Sequence, residues 1–247
     1  MSFDSTAIVF GIDLAWGLKS ADAIAQIELS EESLHIGSLS YTHGDSPLLQ
    51  HIIAQQTTAE KERVLLAIDA PLQCLNQTGS RPVDKECNTL YRAYEAGCHP
   101  VNLNLCPRPI ELASKLERAG FHLSPDLQYK KSAIEVYPHP AMIHWFRLSQ
   151  TIKYKRGKVA DKRKAFVFYQ QCFYQWIREL YPSAELHSDL QRVLTEPWTK
   201  SNEDGLDAYL CAFIGAWHVQ HMSQRSQVLG DQDSGFMVIP QRGEIMP

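Results

Sequence analysis

No stretch of the 247-residue chain approaches the roughly 20 consecutive apolar residues that a bilayer-spanning helix needs. The opening Met1-Ser2-Phe3-Asp4 also lacks the basic head of a secretory signal. The expectation is a cytoplasmic protein with no membrane partner. No Cys-x-x-Cys pair occurs among the six cysteines, which speaks against a disulfide framework. Cys87, Cys98, His99 and Cys106 lie near one another in the chain, but their spacing matches no standard zinc pattern. No His-x-x-x-His pair stands on a helix with an acid to match, and there is no internal repeat. Excess basic charge is missing too. The formal net charge of −4 argues against a protein that holds nucleic acid by charge alone.

What remains is an ordinary globular composition, 44% apolar and 21% charged, long enough to bury roughly 70–75% of its unfolded surface. Ala7 to Asp13 is a short apolar run that reads as a buried strand ending in an acid. Residues 23–29 and 34–41 are two more strands, turned by Ser30-Glu31-Glu32-Ser33 into a hairpin, with Gly37 at a bulge. Asp45-Ser46-Pro47 starts a helix. Val64 to Asp69 is a second buried strand ending in an acid, stopped by Ala70-Pro71. The helix can carry the chain to a fourth strand parallel to the first, so Asp13 and Asp69 would meet at one sheet edge.

Further on, helices are expected over 82–96 and 109–119, with Gly97 and Gly120 as stops. Residues 73–131 read as a helical cap inserted into a single domain spanning 1–247. A strand over 133–137 is closed by Pro138-His139-Pro140. Long helices follow over about 162–180, 185–194 and from Ser201-Asn202 through Trp217, then a final strand over 236–239.

The acids carry the chemistry. Asp13 and Asp69 each end an apolar strand, Glu135 sits inside one, and Asp204 and Asp207 share a helix face three residues apart. Each has a plain alternative. Asp69 before Ala-Pro suits a turn, Asp204 suits a helix start, and Glu135 suits an arginine from the cap. Together they favour a divalent cation, because crowded buried carboxylates are costly without one. Oxygen ligands with few histidines point to Mg²⁺ or Mn²⁺. Such a cluster can hold two ions that activate water against a phosphodiester.

Acid on strand one, hairpin, helix, acid on strand four and acids on the last helix form the layout of the ribonuclease-H-like fold: an α/β mixed sheet, antiparallel then parallel. The last helix resembles the Holliday-junction resolvase branch, where paired acids precede a small-residue apolar run like Asp204-Gly-Leu-Asp207-Ala-Tyr-Leu-Cys-Ala. In that branch the second acid is glutamate, where this chain has Asp69. Gly11-Ile12-Asp13-Leu14-Ala15-Trp16, Ile68-Asp69-Ala70-Pro71-Leu72 and Glu135-Val136-Tyr137-Pro138-His139 resemble the markers of domain-of-unknown-function family 429, predicted nucleases of this fold. Arg81-Pro-Val-Asp84, Tyr154-Lys155 and Gly235-Phe-Met-Val-Ile-Pro240 are similar to its remaining markers, in the same order. The resemblance implies that Asp13, Asp69, Glu135 and Asp207 face the site as ligands, with Asp204 beside them.

The basic residues are local. Residues 153–164 hold seven Lys and Arg and one acid, a charge of +6 that leaves −10 for the rest. Lys155, Arg156 and Arg163 there, and Arg81 and Arg92 in the cap, are candidate phosphate ligands. His139 could orient water or phosphate, or cap the strand end. Trp16 could stack on a base or pack against the cap. The expected function is a metal-dependent nuclease with a nucleic acid as substrate. The alternatives are a phosphotransferase or nucleotide hydrolase of related fold, for which a second Gly-rich phosphate loop is missing, and an inactive nucleic-acid-binding module. The sequence leaves the oligomeric state open.

Overall fold

The structure, a computed structural model, describes residues 6–31, 33–58 and 63–241. Glu32 of the expected hairpin turn lies outside them. The chain opens with β1 (Ala7–Asp13), β2 (Asp22–Leu29) and β3 (Leu34–Thr42), antiparallel in succession. The register shifts where Gln26 faces Gly37-Ser38, the expected bulge. Helix α1 (Asp45–Thr58) leads to β4 (Arg63–Ile68), parallel to β1. After α2 (Pro82–Tyr91), a 3₁₀ turn (Arg92–Tyr94) and α3 (Pro107–Arg118), β5 (His122–Leu123) and β6 (Lys131–Glu135) complete the sheet. Its order is β3-β2-β1-β4-β6-β5, the antiparallel-then-parallel sheet of the ribonuclease-H-like fold.

Strand parity divides the core. Ile8, Phe10 and Ile12 of β1 pack with Leu66 and Ile68 of β4 under α1 and α3. Ala7 and Val9 pack with Leu65 and Ala67 on the opposite face. That second face is covered by α4 (Pro138–Phe146), α5 (Val159–Leu180), α6 (Ser188–Thr195) and α7 (Lys200–Gln220). Helix α7 runs across β1 and β2 and is buried on nearly every side, consistent with its apolar sequence. Thr199 caps it by accepting the Asn202 N–H at 3.0 Å.

Several boundaries differ from expectation. The helix expected over 82–96 ends at Tyr91 and relaxes into the 3₁₀ turn, which closes where Glu95 adopts a left-handed φ of 56°. Pro138-His139-Pro140 ends the strand and also opens α4, since proline suits a first helical turn. The final strand, β8 (Gly235–Pro240), pairs with β7 (Ser226–Asp231), which has no strong strand signature, in a separate ribbon. A parallel bridge from Val238 to Val136 ties that ribbon to the main sheet. Within residues 73–131, α3 packs directly on the sheet through Leu112, Ala113 and Leu116. α2 instead shares a small core with the ribbon, through Val83, Cys87 and Met237. No helix among the described residues is long and apolar enough to cross a membrane.

Candidate carboxylate site

The ends of β1 and β4 position the first two acids. Ile12 faces Ile68 in the parallel register, and the Asp69 N–H donates to the Ile12 carbonyl at 2.9 Å. Asp13 and Asp69 therefore stand side by side. Both continue the parity of Val9, Leu65 and Ala67, so they belong to the α7 face. Gly11 brings that helix close. A Cβ there would fall 2.2 Å from the Ala208 carbonyl oxygen, a contact only glycine permits. The close approach sets Asp207, fully buried, and Asp204, 8% exposed, against the strand ends.

Burial pushes all four carboxyls up. Asp13 rises to about 7, Asp69 to about 8 and Asp207 to about 6, with desolvation first and neighbouring carboxylates adding to it. Asp204 is also raised by burial, and it and Asp13 influence each other's titration. The largest opposing influence on Asp13, Asp69 and Asp207 is the same group, the Lys155 ammonium. Lys155 Nζ stands 2.8 Å from Asp207 Oδ2, and the Tyr154 hydroxyl donates to Asp207 Oδ1 at 2.8 Å. Lys200 Nζ donates to Asp204 Oδ1 at 2.5 Å and to Glu203 Oε1 at 3.0 Å. Lys155 was expected to meet substrate phosphates; it stands among the carboxylates.

Glu135 takes a different position. It faces Ile68, one residue short of Asp69, and Val136 occupies the matching row by donating its N–H to the Ile68 carbonyl. That single step turns Glu135 to the α1–α3 face of the sheet. There Arg81 grips it with Nη1 to Oε2 at 2.8 Å and Nη2 to Oε1 at 2.6 Å, and the Leu72 N–H adds a third bond. The same guanidinium binds Asp84 Oδ1 through Nε and Nη2. Arg81, 1% exposed, is thus committed inside the protein, not to a surface phosphate.

The remaining candidates divide by location. A cleft of about 820 Å³ starts at Asp13 and Asp69 and is lined by Arg92, His99, His139, Lys153, Lys155 and Arg156, among others. A second hollow of about 380 Å³ adjoins it at Asp13, Leu14 and Trp16 and carries Lys19 and Lys200. Trp16, 41% exposed, stands between them. Arg156 bonds His99 Nε2 at 2.7 Å. His139 stacks on Tyr137 with ring centroids 5.3 Å apart, and burial beside Lys155 lowers it to about 3, so the ring is neutral. Arg163 lies on the exposed start of α5, apart from the residues lining either hollow.

The loop behind Asp13 is held by a clamp that the sequence did not disclose. Arg108 bonds Asp22 at 2.6 and 2.9 Å, Asp45 at 3.0 Å and the Ala15 carbonyl, while Asp22 accepts the Ala15 N–H. Tyr154 and Lys200 were likewise missed as partners of the acids. The cysteines do not form a zinc cluster. Cys106 packs with Cys74 and Val101, away from Cys87 and its neighbours under the ribbon. Among the described residues, no group of three or more His, Cys, Asp or Glu side chains converges on one metal position.

The donors nevertheless suit one hard cation. Asp13 and Asp69 are adjacent, half-buried and open to the cleft, and neither makes an ion pair of its own among the described residues. Magnesium is commonly held by one or two carboxylates, with water and substrate phosphate completing its shell.

A family model described as "Protein of unknown function (DUF429)" matches residues 11–226. No curated protein matches the chain. Among solved structures, a Fowlpox virus resolvase in complex with its substrate Holliday junction DNA is similar at 10% identity and a TM-score of 0.31. The match covers 87% of this chain and 98% of that one.

Proposed function

Since the chain belongs to the DUF429 family, a membership that names no activity, its chemistry has to come from its site, and we propose that it is a divalent-metal-dependent nuclease. The observation that carries this reading is the adjacency of Asp13 and Asp69 on one face of the sheet, at the foot of a cleft lined by Arg92, Lys153, Lys155 and Arg156. Asp13 and Asp69 hold Mg²⁺ or Mn²⁺, with Asp204 and Asp207 behind them. When bound, the ion lowers the pKa of a water and stabilises charge on the leaving oxygen of a phosphodiester.

The chain's own residues do the rest. Lys200 fixes Asp204 and Lys155 fixes Asp207, so both carboxylates keep one orientation behind the ligands. Arg92 and Arg156 meet phosphates flanking the scissile bond, where guanidinium geometry favours two-point contact. Trp16 offers an aromatic face to a base at the junction of the two hollows. Glu135 and Arg81 act through the backbone: their pair accepts the Leu72 N–H and the Gln73 carbonyl accepts from Arg81, which steadies the segment after Asp69.

The test is cleavage of fluorescent single-stranded, duplex and four-way-junction oligonucleotides with Mg²⁺, Mn²⁺ or chelator, with ATP turnover measured in parallel. Ion-dependent cutting that disappears in Asp13→Asn supports the nuclease reading. ATP turnover without cleavage moves the protein to phosphoryl transfer. Binding without turnover in any ion leaves a nucleic-acid-binding module.

A further inference from the structure

We infer that Lys155 is a resident cation of the carboxylate cluster, standing where a second metal ion would otherwise be needed, so that the site takes one divalent ion on its Asp13–Asp69 side. The inference rests on the metal-dependent reading above and deepens it.

Position is the first argument. Lys155 Nζ is 2.8 Å from Asp207 Oδ2, and it is also the main positive influence on Asp13 and on Asp69. It lines the same cleft as Asp13 and Asp69, so it stands among carboxylates carried by β1, by the residue after β4 and by α7. Asp207 Oδ1 accepts from Tyr154, and buried Oδ2, which meets no well-aligned hydrogen-bond donor, has the ammonium 2.8 Å away as its ion-pair partner. An ion bridging Asp207 and Asp13 would have to displace the ammonium.

Rigidity is the second. Tyr154 is fully buried, its ring packs 4.8 Å from Tyr169, and Lys155 Nζ lies 5.6 Å over the Tyr154 ring. The lysine is held from behind by an aromatic shelf, while its side chain stays 31% accessible towards the cleft. An ammonium suits this place because it is a compact point charge with three donors, enough to serve Asp207 and still reach a substrate phosphate oxygen.

Charge is the third. The four aspartates and the two lysines that meet them leave a formal −2, the complement of one divalent ion. Glu203 shares Lys200 and accepts the Trp198 Nε1–H at 2.7 Å. Counting it makes the balance −3, still short of two ions.

The experiment is a count of Mn²⁺ bound to the full chain without substrate, by calorimetric titration and by electron paramagnetic resonance of the free ion. Wild type should bind one Mn²⁺. Lys155→Met, which removes the ammonium but keeps much of the stem, should bind two. Lys155→Arg, which keeps the charge, should bind one. A wild-type count of two, or a Lys155→Met count that stays at one, overturns the inference and leaves the metal-dependent reading standing. Absence of Mn²⁺ binding in all three overturns the metal-dependent reading itself. If circular dichroism shows Lys155→Met unfolded, the wild-type count decides alone, one ion supporting the inference and two overturning it.

Discussion

The backbone of Ala212 lies so close on Gly11 that a Cβ at position 11 would fall 2.0 Å from the Ala212 nitrogen. The two residues fix the distance between the first strand and the helix that carries Asp204 and Asp207. Gly11→Ala forces backbone to move, not a flexible side chain. Overpacking alone costs about 1–3 kcal/mol, and for a chain of this size each kcal/mol lowers Tm by about 2–4 °C. A loss of about 2–12 °C in a thermal melt is expected, with loss of Mn²⁺ binding. Gly17→Ala, where a Cβ meets nothing within 4 Å, should shift Tm by less than about 2 °C.

Without metal, stability should fall as pH rises. Asp13, Asp69 and Asp207 have folded-state values raised to about 7, 8 and 6 from an ordinary 3.8. Between the ordinary and raised values the folded state binds more protons than the unfolded one, so stability declines with pH across that window. The contribution is fully present below pH 4 and is lost as pH climbs through 6 to 8. Melts in chelator at pH 5.5 and 8.5 should show the lower Tm at pH 8.5, and millimolar Mn²⁺ should raise Tm more at pH 8.5 than at pH 5.5. Equal stabilisation by Mn²⁺ at both values would disconnect these carboxylates from the metal.

Arg81→Met should destabilise the fold by about 3–5 kcal/mol, because it leaves Glu135 and Asp84 buried without their cation, and Glu135→Gln should cost less, because Arg81 keeps Asp84. Replacing both together with apolar residues should cost less than the sum. Mn²⁺ stoichiometry at 10 °C should stay unchanged in Glu135→Gln, since its carboxylate belongs to the opposite face of the sheet. A lost ion would make Glu135 a ligand after all.

The cleft and the outer basic helix should separate in a salt series. Arg92→Ala with Arg156→Ala should weaken oligonucleotide binding and flatten its log–log salt dependence by roughly one to two units, at about 0.7–0.9 per phosphate contact. Arg163→Ala with Lys164→Ala, on the exposed first turns of α5, should change the slope by less than half a unit. Fluorescence anisotropy reads both. Equal slopes for the two double variants would mean that the cleft carries no phosphate.

Asp13 and Asp69 were legible in the sequence because a short β-branched run ending in an acid exposes both the strand and the point where it stops. Asp204 and Asp207 were legible from helical spacing. Glu135 was legible only through its alternative, an arginine from the cap, which Arg81 supplies; its turn away from the α7 face depends on which β6 residue stands opposite Ile68, and no local pattern records that register. Lys155 was legible as a charge but not as a neighbour of Asp207. It looked like part of a basic run, yet Tyr154 and Lys155 turn inward while Lys158, Arg163 and Lys164 stay in water. The Arg108 clamp joins residues more than sixty positions apart, while α7 was legible from its Ser201-Asn202 start and the helical spacing of Leu206, Tyr209, Leu210, Phe213, Ile214 and Trp217.

Helix α7 also governs when the protein becomes competent during its own synthesis. Asp13 and Asp69 leave the ribosome early, but the helix that supplies Asp204 and Asp207 and covers the strand face behind them ends at residue 220. Until it docks, the apolar face of β1 and β2 is open and the cluster has half its carboxylates. Whatever chemistry the cluster performs is therefore withheld from the nascent chain. The same delay leaves that strand face open to association with other chains until α7 docks.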